Sequence, residues 1–473
     1  MSKSNQPSIM NIKSIPVDSA QNIESDVLEP QTFSQSECTF ELAPKGFLHP
    51  GSAIVIAFEN NALLNDSYPY PNVGIHSIVR RAVLRTTAGR VICDTDDWNA
   101  LQAIKSMFLS NSSNKEREQY TTGRSVDFEV IYDDDSATKS EEGYGINNAQ
   151  EYQRRVEAAG AWKTQPGLQV KPCLLHSSGS TLQIKLHELF SYMKQGNQLP
   201  LFMLPDERIQ IQLFWASPTG TNRLALNADD DAQVAQTLNI DRTRLKFIAD
   251  YVFYDGATME AFRNGNKELT FEYFDYRLSK QSLLNTQVSN NVRNVGGNGM
   301  LVNRIFWGYE NPNRNSTTTL GTFHNESCKT TVAGSSKELL TSNLFVNGEF
   351  LYPQFISNPA RQFHNLKETG QMVPFVSRAL YSGQGLNVVG TTNVSNFAGR
   401  DTADNFGGKF FAQGFLTRGL NQRVDNRGID LHSSPADMPD ISGDTIKSYT
   451  QRCWLEVRRY ITIKDGHLEC YFV

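Results

Sequence analysis

The sequence lacks the features by which secreted and membrane proteins are usually recognised. Its 473 residues contain six cysteines, all far apart, with no C-x-x-C pair and no histidines at metal-ligand spacing. Disulfide frameworks and zinc sites need such spacing, so we expect reduced, mostly buried thiols in a cytosol-like compartment. No apolar run approaches the roughly 18–20 residues that cross a bilayer, and no basic-then-apolar signal sequence is visible. The sequence therefore predicts neither secretion nor a transmembrane contact.

Positive charge is also scarce. The net charge is -5, the isoelectric point is near 6.0 and only 20% of the residues are charged. Proteins that coat nucleic acid need clustered lysines and arginines to bind phosphates. We therefore expect no sequence-specific nucleic-acid partner, although a locally basic face stays compatible with this composition.

Catalytic and cofactor motifs are incomplete. His187-Glu188 begins an H-E-x-x-H zinc motif, but Ser191 stands where the second histidine belongs. Residues 294–299 are glycine-rich without the lysine of a phosphate-binding loop, and no G-x-S-x-G elbow occurs. Two triple-aspartate runs are favoured as solvated loops over a cation cage, because adjacent carboxylates on an extended chain point to opposite sides. The sequence thus predicts a protein that is not an enzyme, with no catalytic, cofactor-binding or metal-binding residues and no cofactor.

Some charged residues allow weaker expectations. The arginine pairs at 80–81 and 458–459 lie in predicted strands, so at most one member of each pair faces a core. Histidine is the side chain that commonly changes charge between about pH 5 and 8, and His432 and His467 are two of the eight histidines in the chain. A pH-sensitive pair of these two histidines is therefore a hypothesis, since nothing in the sequence places them together.

Short strand patterns separated by long polar loops fill most of the chain. Residues 53–58 form a continuous apolar run, typical of a buried strand, and residues 209–215 begin with strict apolar–polar alternation. Residues 98–108 are the clearest helix, with Asp96 or Asp97 as its cap. Many strands with few helices predict an antiparallel all-β protein.

The order of these patterns occurs twice. A strong strand runs into Asp-Gly at 245–256 and again at 454–466, where a hairpin turn is predicted. Residues 39–42 (TFEL) resemble residues 270–273 (TFEY), and a buried strand and a hairpin follow each of them. A helical connector at 258–263 separates the two series. Because 473 residues are too many for one core, we interpret the repeat as two consecutive domains.

Three parts follow from this division. We predict a flexible N-terminal arm over residues 1–36, a first jelly roll over 37–257 and a second jelly roll over 258–473. Jelly rolls are eight-stranded double sheets, and variation concentrates in their loops. The predicted fold class is therefore all-β, with two tandem eight-stranded antiparallel jelly rolls and short helices in loops.

At this point the chain resembles a known family, the double jelly-roll major capsid proteins of the polinton-like virus, virophage and adenovirus-like lineage of icosahedral DNA viruses. The resemblance is carried by residues 303–307 (NRIFW), by residues 408–415 (GKFFAQGF) and by the strand pair at 457–472. The order of these segments in a tandem arrangement across nearly the whole chain is the stronger part of the match.

The resemblance implies a homotrimer in which six rolls make a pseudo-hexagonal capsomer that tiles the facets of the shell. It also implies neighbouring capsomers, penton proteins and minor capsid proteins as partners, and the virion as the location, after assembly inside the infected host cell. Aromatic residues in predicted loops are candidate trimer contacts, because aromatic residues are enriched in interface cores; each could equally pack in its own roll. These are Tyr68, Tyr70, Phe363, Phe375 and Tyr381.

The alternative function is a carbohydrate-binding or glycoside-processing β-sandwich protein, because such proteins also repeat jelly rolls. It would require a paired-carboxylate cleft or an aromatic platform, and the sequence displays neither clearly. A minor capsid or penton protein is a third interpretation, but pentons of this lineage usually carry one roll and two are predicted here.

Overall fold

The structure, a computed structural model, describes sixteen parts of the chain: residues 21–59, 74–108, 121–123, 129–132, 168–171, 181–190, 192, 198–216, 239–284, 291–310, 341–355, 365, 369, 413–416, 423–434 and 448–472. Strands dominate these parts, and every strand pair in them is antiparallel. The predicted all-β fold is confirmed.

The first group of strands precedes residue 255. Its strands are β1 (Gln21–Leu28), β2 (Thr32–Phe33), β3 (Glu37–Glu41), β4 (Phe47–Leu48), β5 (Ala53–Ile56), β6 (Val79–Thr86), β7 (Val91–Thr95), β8 (Glu129–Tyr132), β9 (Leu168–Lys171), β10 (Leu182–Lys185), β11 (Leu199–Pro200), β12 (Ile209–Trp215) and β13 (Lys246–Tyr254). Its helices are α1 (Trp98–Phe108) and α2 (Leu186–Leu189), with 3₁₀ helices at Gly74–Ile78 and Leu201–Met203.

The second group follows helix α3 (Gly256–Gly265). Its strands are β14 (Glu268–Leu284), β15 (Asn291–Gly296), β16 (Val302–Glu310), β17 (Thr341–Val346), β18 (Glu349–Phe350), β19 (Gln413–Leu416), β20 (Ile429–Ser434), β21 (Ser448–Lys464) and β22 (His467–Phe472). No sheet of the described residues mixes strands of the two groups.

Eight strands of each group occur in the same spatial order. In the first group, β1 pairs with β13, β13 with β5 and β5 with β10, while the facing sheet has the order β3-β12-β6-β7. In the second group the corresponding orders are β14-β21-β16-β19 and β15-β20-β17-β18. The remaining strands, such as β2 and β22, extend these sheets or, as the pair β8–β9, stand apart. The second group therefore repeats the first strand for strand.

This correspondence corrects two details of the sequence analysis. The tetrapeptides at 39–42 and 270–273 lie in β3 and β14, which are not equivalent, because β14 corresponds to β1. The predicted flexible arm over residues 1–36 is also too long, since β1 occupies Gln21–Leu28 and pairs along its whole length with β13. Residues 1–20 lie outside the described residues.

Two hydrophobic cores form between the sheets. The first core is lined by the four buried side chains of β12, Ile209, Ile211, Leu213 and Trp215, which confirms the predicted alternation. Helix α1 begins at Trp98, as predicted, and its Trp98 side chain is 1% exposed. The second core lies around Trp307, which stacks on Phe415 with ring centroids 6.4 Å apart.

One strand pair contributes to both cores. β14 and β21 pair along all 17 of their residues, and their odd-numbered side chains share one face. At one end this face adds Leu455 and Val457 to the second core, and at the other end it adds Phe271 and Ile461 to the first. Burying one such side chain stabilises the fold by about 1.5–3 kcal/mol. Because one strand pair supplies buried side chains to both cores, the stability of each core depends on the same two strands.

Two hairpins have the turn chemistry that the sequence predicts. Asp465 and Gly466 have φ values of 52° and 81°, and Asn347 and Gly348 have φ values of 53° and 89°. Positive φ at both central residues defines the tight turn that suits the twist of paired strands. Asp255 differs, because its side chain accepts a hydrogen bond from the Thr258 amide and caps α3 instead of closing a hairpin.

The apolar residues 199–204 predict a strand, but only Leu199–Pro200 forms one, and a 3₁₀ turn over Leu201–Met203 follows it. The sequence also predicts a short helix with Pro359 and Phe363 and a polar surface excursion at 110–145. That helix, the two triple-aspartate runs and most of the excursion lie outside the described residues.

Candidate functional site

The two strand groups meet at a contact that we call the junction, in which polar bonds accompany the shared hydrophobic core. It consists of β7, Asp96, Asp97 and α1 of the first group against β14, β21 and β22 of the second. β7 is the last strand of its sheet, so its outer carbonyls have no strand partner among the described residues. Such an edge needs cover, because it can pair with another chain.

Side chains of the second group bind the carbonyls of the β7 edge. The Arg459 guanidinium donates from Nη1 to the Ile92 carbonyl at 2.7 Å and from Nη2 to the Val91 carbonyl at 3.0 Å. The Tyr273 hydroxyl donates to the same Ile92 carbonyl at 2.5 Å. Three donors from β14 and β21 therefore take the place of a neighbouring strand.

A buried ion pair holds Arg459 in this position. Its Nη1 lies 2.8 Å from Asp275 Oδ2, and Asp275 also accepts a bond of 3.4 Å from the Asp94 amide. Asp275 is completely buried, and burial raises its pKa to about 6 against the opposing charges of Arg459 and Arg277. The guanidinium also lies over the Phe472 ring, 4.6 Å from its centroid.

The opposite face of β14 and β21 contacts the first group through Asp97. The Asp97 carboxylate lies 2.9 Å from both Lys280 Nζ and Arg452 Nε. Burial opposes its ionisation, but the charges of Arg452 and Lys280 hold the pKa of Asp97 below its usual value. The Trp454 indole donates to the Asp96 carbonyl at 3.4 Å. The first group thus contacts both faces of the β14–β21 pair.

Further contacts lie around the C-terminal hairpin. His467 Nδ1 is 3.2 Å from Glu207 Oε1, and Arg90 donates to the Leu468 carbonyl. These bonds connect β22 and its turn to loops of the first group.

The buried carboxylates at and near this contact are paired with opposite charges. Asp97 pairs with Lys280 and Arg452 across the junction, whereas the pairs Asp275–Arg459 and Glu456–Arg304 each join two strands of the second group. Removing one partner of such a pair leaves a buried charge uncompensated, which is strongly destabilising. The junction is therefore suited to holding two sandwiches in one fixed orientation.

The sequence analysis located part of this site. Arg459 is buried and Arg458 is about one-third exposed, as expected for alternating strand residues. His432 and His467 are not a pair, because His467 contacts Glu207 and His432 contacts phenylalanine rings. All five aromatic residues proposed as trimer contacts lie outside the described residues.

Asp97 and Asp275 were missed as site residues. The sequence marked Asp97 only as a possible helix cap, and its backbone carbonyl does accept bonds from the amides of Ala100 and Leu101. Its side chain instead reaches Lys280, 183 positions later, and Arg452, still farther along the chain. A single aspartate in the strand pattern at 273–277 was the only available signal for Asp275.

Exposed apolar side chains form a second notable feature. Six large hydrophobic side chains of the described residues are strongly exposed. They are Ile23, Val27, Val292, Phe350, Phe355 and Tyr471. Phe350 and Phe355 contact each other and His432, with ring centroids 5.1–6.2 Å apart.

No protein-family model and no curated protein sequence matches the chain. Solved structures do match it over its whole length. The PBCV-1 capsid structure aligns with a TM-score of 0.56 and 9% identity, covering 98% of this chain and 99% of that one. The Sputnik virophage structure gives a TM-score of 0.51 and 10% identity, covering 100% and 92% of the two chains. The mavirus major capsid protein gives 0.50 and 12%, covering 100% and 93%.

The chain has the double jelly-roll fold. At identities of 9–12% the likeness to these proteins concerns the fold. The strands that repeat in the two groups form the two jelly rolls. Among the described residues the first roll has several additional short strands, and the second has β22. The junction is the contact between these two rolls within one chain. No helix among the described residues is long and apolar enough to cross a membrane.

Proposed function

We propose that the chain is a major capsid protein, a structural subunit that assembles as a homotrimer into the facets of an icosahedral virus shell. The observation that supports this most is the full-length alignment with capsid proteins of PBCV-1, Sputnik and mavirus, which leaves almost none of either chain unmatched. A chain with one jelly roll would match only part of these capsid proteins.

The junction fits this function. Six rolls in a ring must keep constant angles, and a subunit with two freely hinged rolls could not tile a facet. The two rolls of this chain are held together by the ion pairs of Asp97 with Lys280 and Arg452, by the side-chain bonds to the β7 carbonyls and by a shared hydrophobic core. The boundary between the rolls, proposed at residue 257, falls inside α3 at the start of the connection.

The same proposal includes the virion as the location, with neighbouring capsomers, penton and minor capsid proteins as partners and no catalytic role. No observation on the described residues favours the carbohydrate-binding alternative.

Native mass spectrometry of the purified chain at moderate salt tests the proposal. We expect a dominant species near 159 kDa, three times the subunit mass of 53.1 kDa, and hexagonal particles by electron microscopy. A chain that stays monomeric at all concentrations up to about 100 μM, well above the Kd of specific assemblies, would contradict the proposal. Glycan binding or hydrolysis without assembly would favour the alternative.

A further inference from the structure

The exposed apolar side chains of the described residues fall largely into two patches. The β1 patch consists of Ile23 and Val27, which are 59% and 64% exposed. The β18 patch consists of Phe350 and Phe355, which are 44% and 45% exposed, with Val292 beside them opposite His432. Exposed apolar clusters of this kind mark interaction surfaces.

Strand equivalence relates the two patches to the junction. β1 corresponds to β14, since each is the edge strand that pairs with the closing strand of its roll. β18 corresponds to β7, since each is the edge strand that follows the tight hairpin. In the junction, β7 of the first roll contacts β14 of the second. The two exposed patches therefore lie on the two strands whose equivalents are already in contact.

The register of β1 makes the relation specific. In each roll, three residues that are paired side by side on three neighbouring strands are all buried, and we call such a set a rung. The rungs are Ile184–Ile54–Phe247 in the first roll and Phe415–Ile305–Leu455 in the second. When the two rungs are aligned, Leu28 of β1 is equivalent to Arg277 of β14, because Leu28 pairs with Phe247 and Arg277 pairs with Leu455. Val27 then takes the place of Tyr276.

Tyr276 shows what a covered residue at this place looks like. It is 6% exposed, and Lys105 of α1 lies over its ring, 4.2 Å from the centroid. Val27 at the equivalent place is 64% exposed. The difference is that a roll precedes β14 in the chain, whereas none precedes β1 among the described residues.

The β18 patch has the same relation to the other side of the junction. Leu84 and Leu344 are equivalent buried residues of β6 and β17, since they pair with Ile211 and Leu431 of the next strands. Leu84 pairs with Cys93, and the Leu351 amide donates to the Leu344 carbonyl at 2.8 Å. Cys93 of β7 and Leu351 are therefore equivalent residues, and they are 258 positions apart in the sequence.

The same offset brings Phe350 to the region of Ile92 and Phe355 to the region of Asp97, although Ile92 lies in a β-bulge that β18 lacks and Phe355 lies beyond the end of β18. Ile92 supplies the carbonyl that Arg459 and Tyr273 bind, and Asp97 supplies the carboxylate that Lys280 and Arg452 bind. The exposed phenylalanines thus lie along the edge of the second roll that corresponds to the contacting edge of the first.

We propose that the β1 patch of one copy packs against the β18 patch of a second copy, in an intermolecular contact equivalent to the junction. The inference deepens the proposed function by naming the surfaces through which copies of this chain associate. The contact is heterologous, because each copy contributes a different patch to each of its two neighbours.

The chemistry of the patches agrees with a contact between separate chains. The junction within a chain is unimolecular, so its ion pairs at Asp97, its bonds to the β7 carbonyls and its shared apolar core form at no cost in translational freedom. A contact between chains must offset that cost, and apolar burial is the main favourable term in association. Apolar residues at the positions where the junction has Tyr276 and Asp97 meet this requirement.

Single charge substitutions in the full-length chain test the proposal. Val27→Asp and Phe350→Asp should each raise the dissociation constant of the assembly by roughly 30-fold or more, the scale of a lost interface hot spot. Tyr471→Asp is the matched control, since Tyr471 is 46% exposed and lies outside both patches. Far-UV circular dichroism and thermal unfolding show that each variant is folded, and Val27→Ser and Phe355→Ser serve as milder variants.

Mixing the two charge variants identifies which surfaces meet. A copy with Val27→Asp keeps an intact β18 patch, and a copy with Phe350→Asp keeps an intact β1 patch. An equimolar mixture should form a heterodimer of about 106 kDa, twice the 53.1 kDa subunit, and nothing larger, because the two remaining patches are both disrupted.

The outcomes separate this proposal from the proposed function. A wild-type chain that stays monomeric overturns both. A wild-type trimer with unchanged assembly of both variants overturns only the assignment of the surfaces. Loss of assembly by Val27→Asp with full assembly by Phe350→Asp indicates a symmetric contact between two β1 strands and also overturns it.

Discussion

The burial of Asp275 affects how the stability of the protein depends on pH. It is completely buried beside Arg459, and its pKa is raised to about 6 from an ordinary value of 3.8. Because the folded protein binds this proton more tightly than the unfolded chain, the contribution of Asp275 to stability is fully present below about pH 4 and is lost as the pH rises through about 6.

This gives a prediction with a definite sign. The free energy of unfolding of the wild type, minus that of Asp275→Asn, should fall by roughly 2–3 kcal/mol between pH 4 and pH 7, as expected for a shift of about two pKa units. Urea unfolding at a series of pH values measures both proteins. A difference that rises over this range would show that the ion pair with Arg459, and not burial, sets the pKa.

Asp97 allows a prediction with a neighbouring control. Asp97→Ala leaves Arg452, whose side chain is 12% exposed, without its carboxylate. We expect the free energy of unfolding to fall by roughly 1–3 kcal/mol, the cost of an unsatisfied buried group. Asp96→Ala should change it by less than about 0.5 kcal/mol, because Asp96 is exposed and contributes its backbone carbonyl to Trp454. Equal losses would mean that the Asp97 side chain is not the stabilising group.

At the scale of elements, the Asp-Gly dipeptides show how one pair of residues can form two structures. Gly466 has a φ of 81° in a hairpin turn, whereas Gly256 is the first residue of α3 and has no such constraint. Residues that carry a Cβ rarely adopt the left-handed backbone conformation. In a helix, replacing glycine by such a residue stabilises the fold, because it reduces the conformational entropy of the unfolded chain.

Alanine at the two glycines should therefore have opposite effects. Gly256→Ala is expected to stabilise the protein by about 0.4–1 kcal/mol. Gly466→Ala is expected to destabilise it by about 1–2 kcal/mol through backbone strain, since the nearest atoms to its added Cβ, in Asp206 and Pro205, lie at an ordinary contact distance of 3.4 Å. Gly348→Ala isolates the strain, because no atom lies within 4 Å of its added Cβ. Thermal unfolding of the three variants measures these effects, and a shift of the same sign for Gly256→Ala and Gly466→Ala would contradict the assignment.

The same elements show what could be predicted from the sequence. Strands such as β12 and hairpins at Asp465 and Asn347 follow from local patterns, which is why their positions were predicted correctly. The pairing of β1 with β13 joins residues more than 200 positions apart, and the apolar residues of β1, Ile23, Val27 and Leu28, do not alternate in the way that identifies a strand. The contacts of Asp275 and Asp97 are equally nonlocal, so neither residue could be recognised as part of a site.

At the scale of the whole molecule, the shared core predicts cooperative unfolding. The first core contains side chains from β14, β21 and β22, including Phe271, Ile461 and Leu468. Neither roll can therefore unfold without exposing apolar surface of the other. We expect one transition, with coincident curves from tryptophan fluorescence, far-UV circular dichroism and calorimetry.

A variant should separate the two rolls. Phe271→Asp places a charge in the first core at the junction, and we expect two resolved transitions or a broadened one. Phe274→Asp on the opposite face of β14 is the control and should keep a single transition. Two transitions in the wild type would contradict the idea of a shared core.

The contribution of β21 and β22 to the first core has a consequence for biosynthesis. Ile461, Ile463 and Leu468 are translated after every strand of the first roll, so that roll cannot complete its core while it is being made. Pairings across such long stretches of chain also form slowly. A nascent first roll would thus stay incompletely packed until the C-terminal hairpin emerges from the ribosome, and copies still in synthesis would not present finished surfaces to one another.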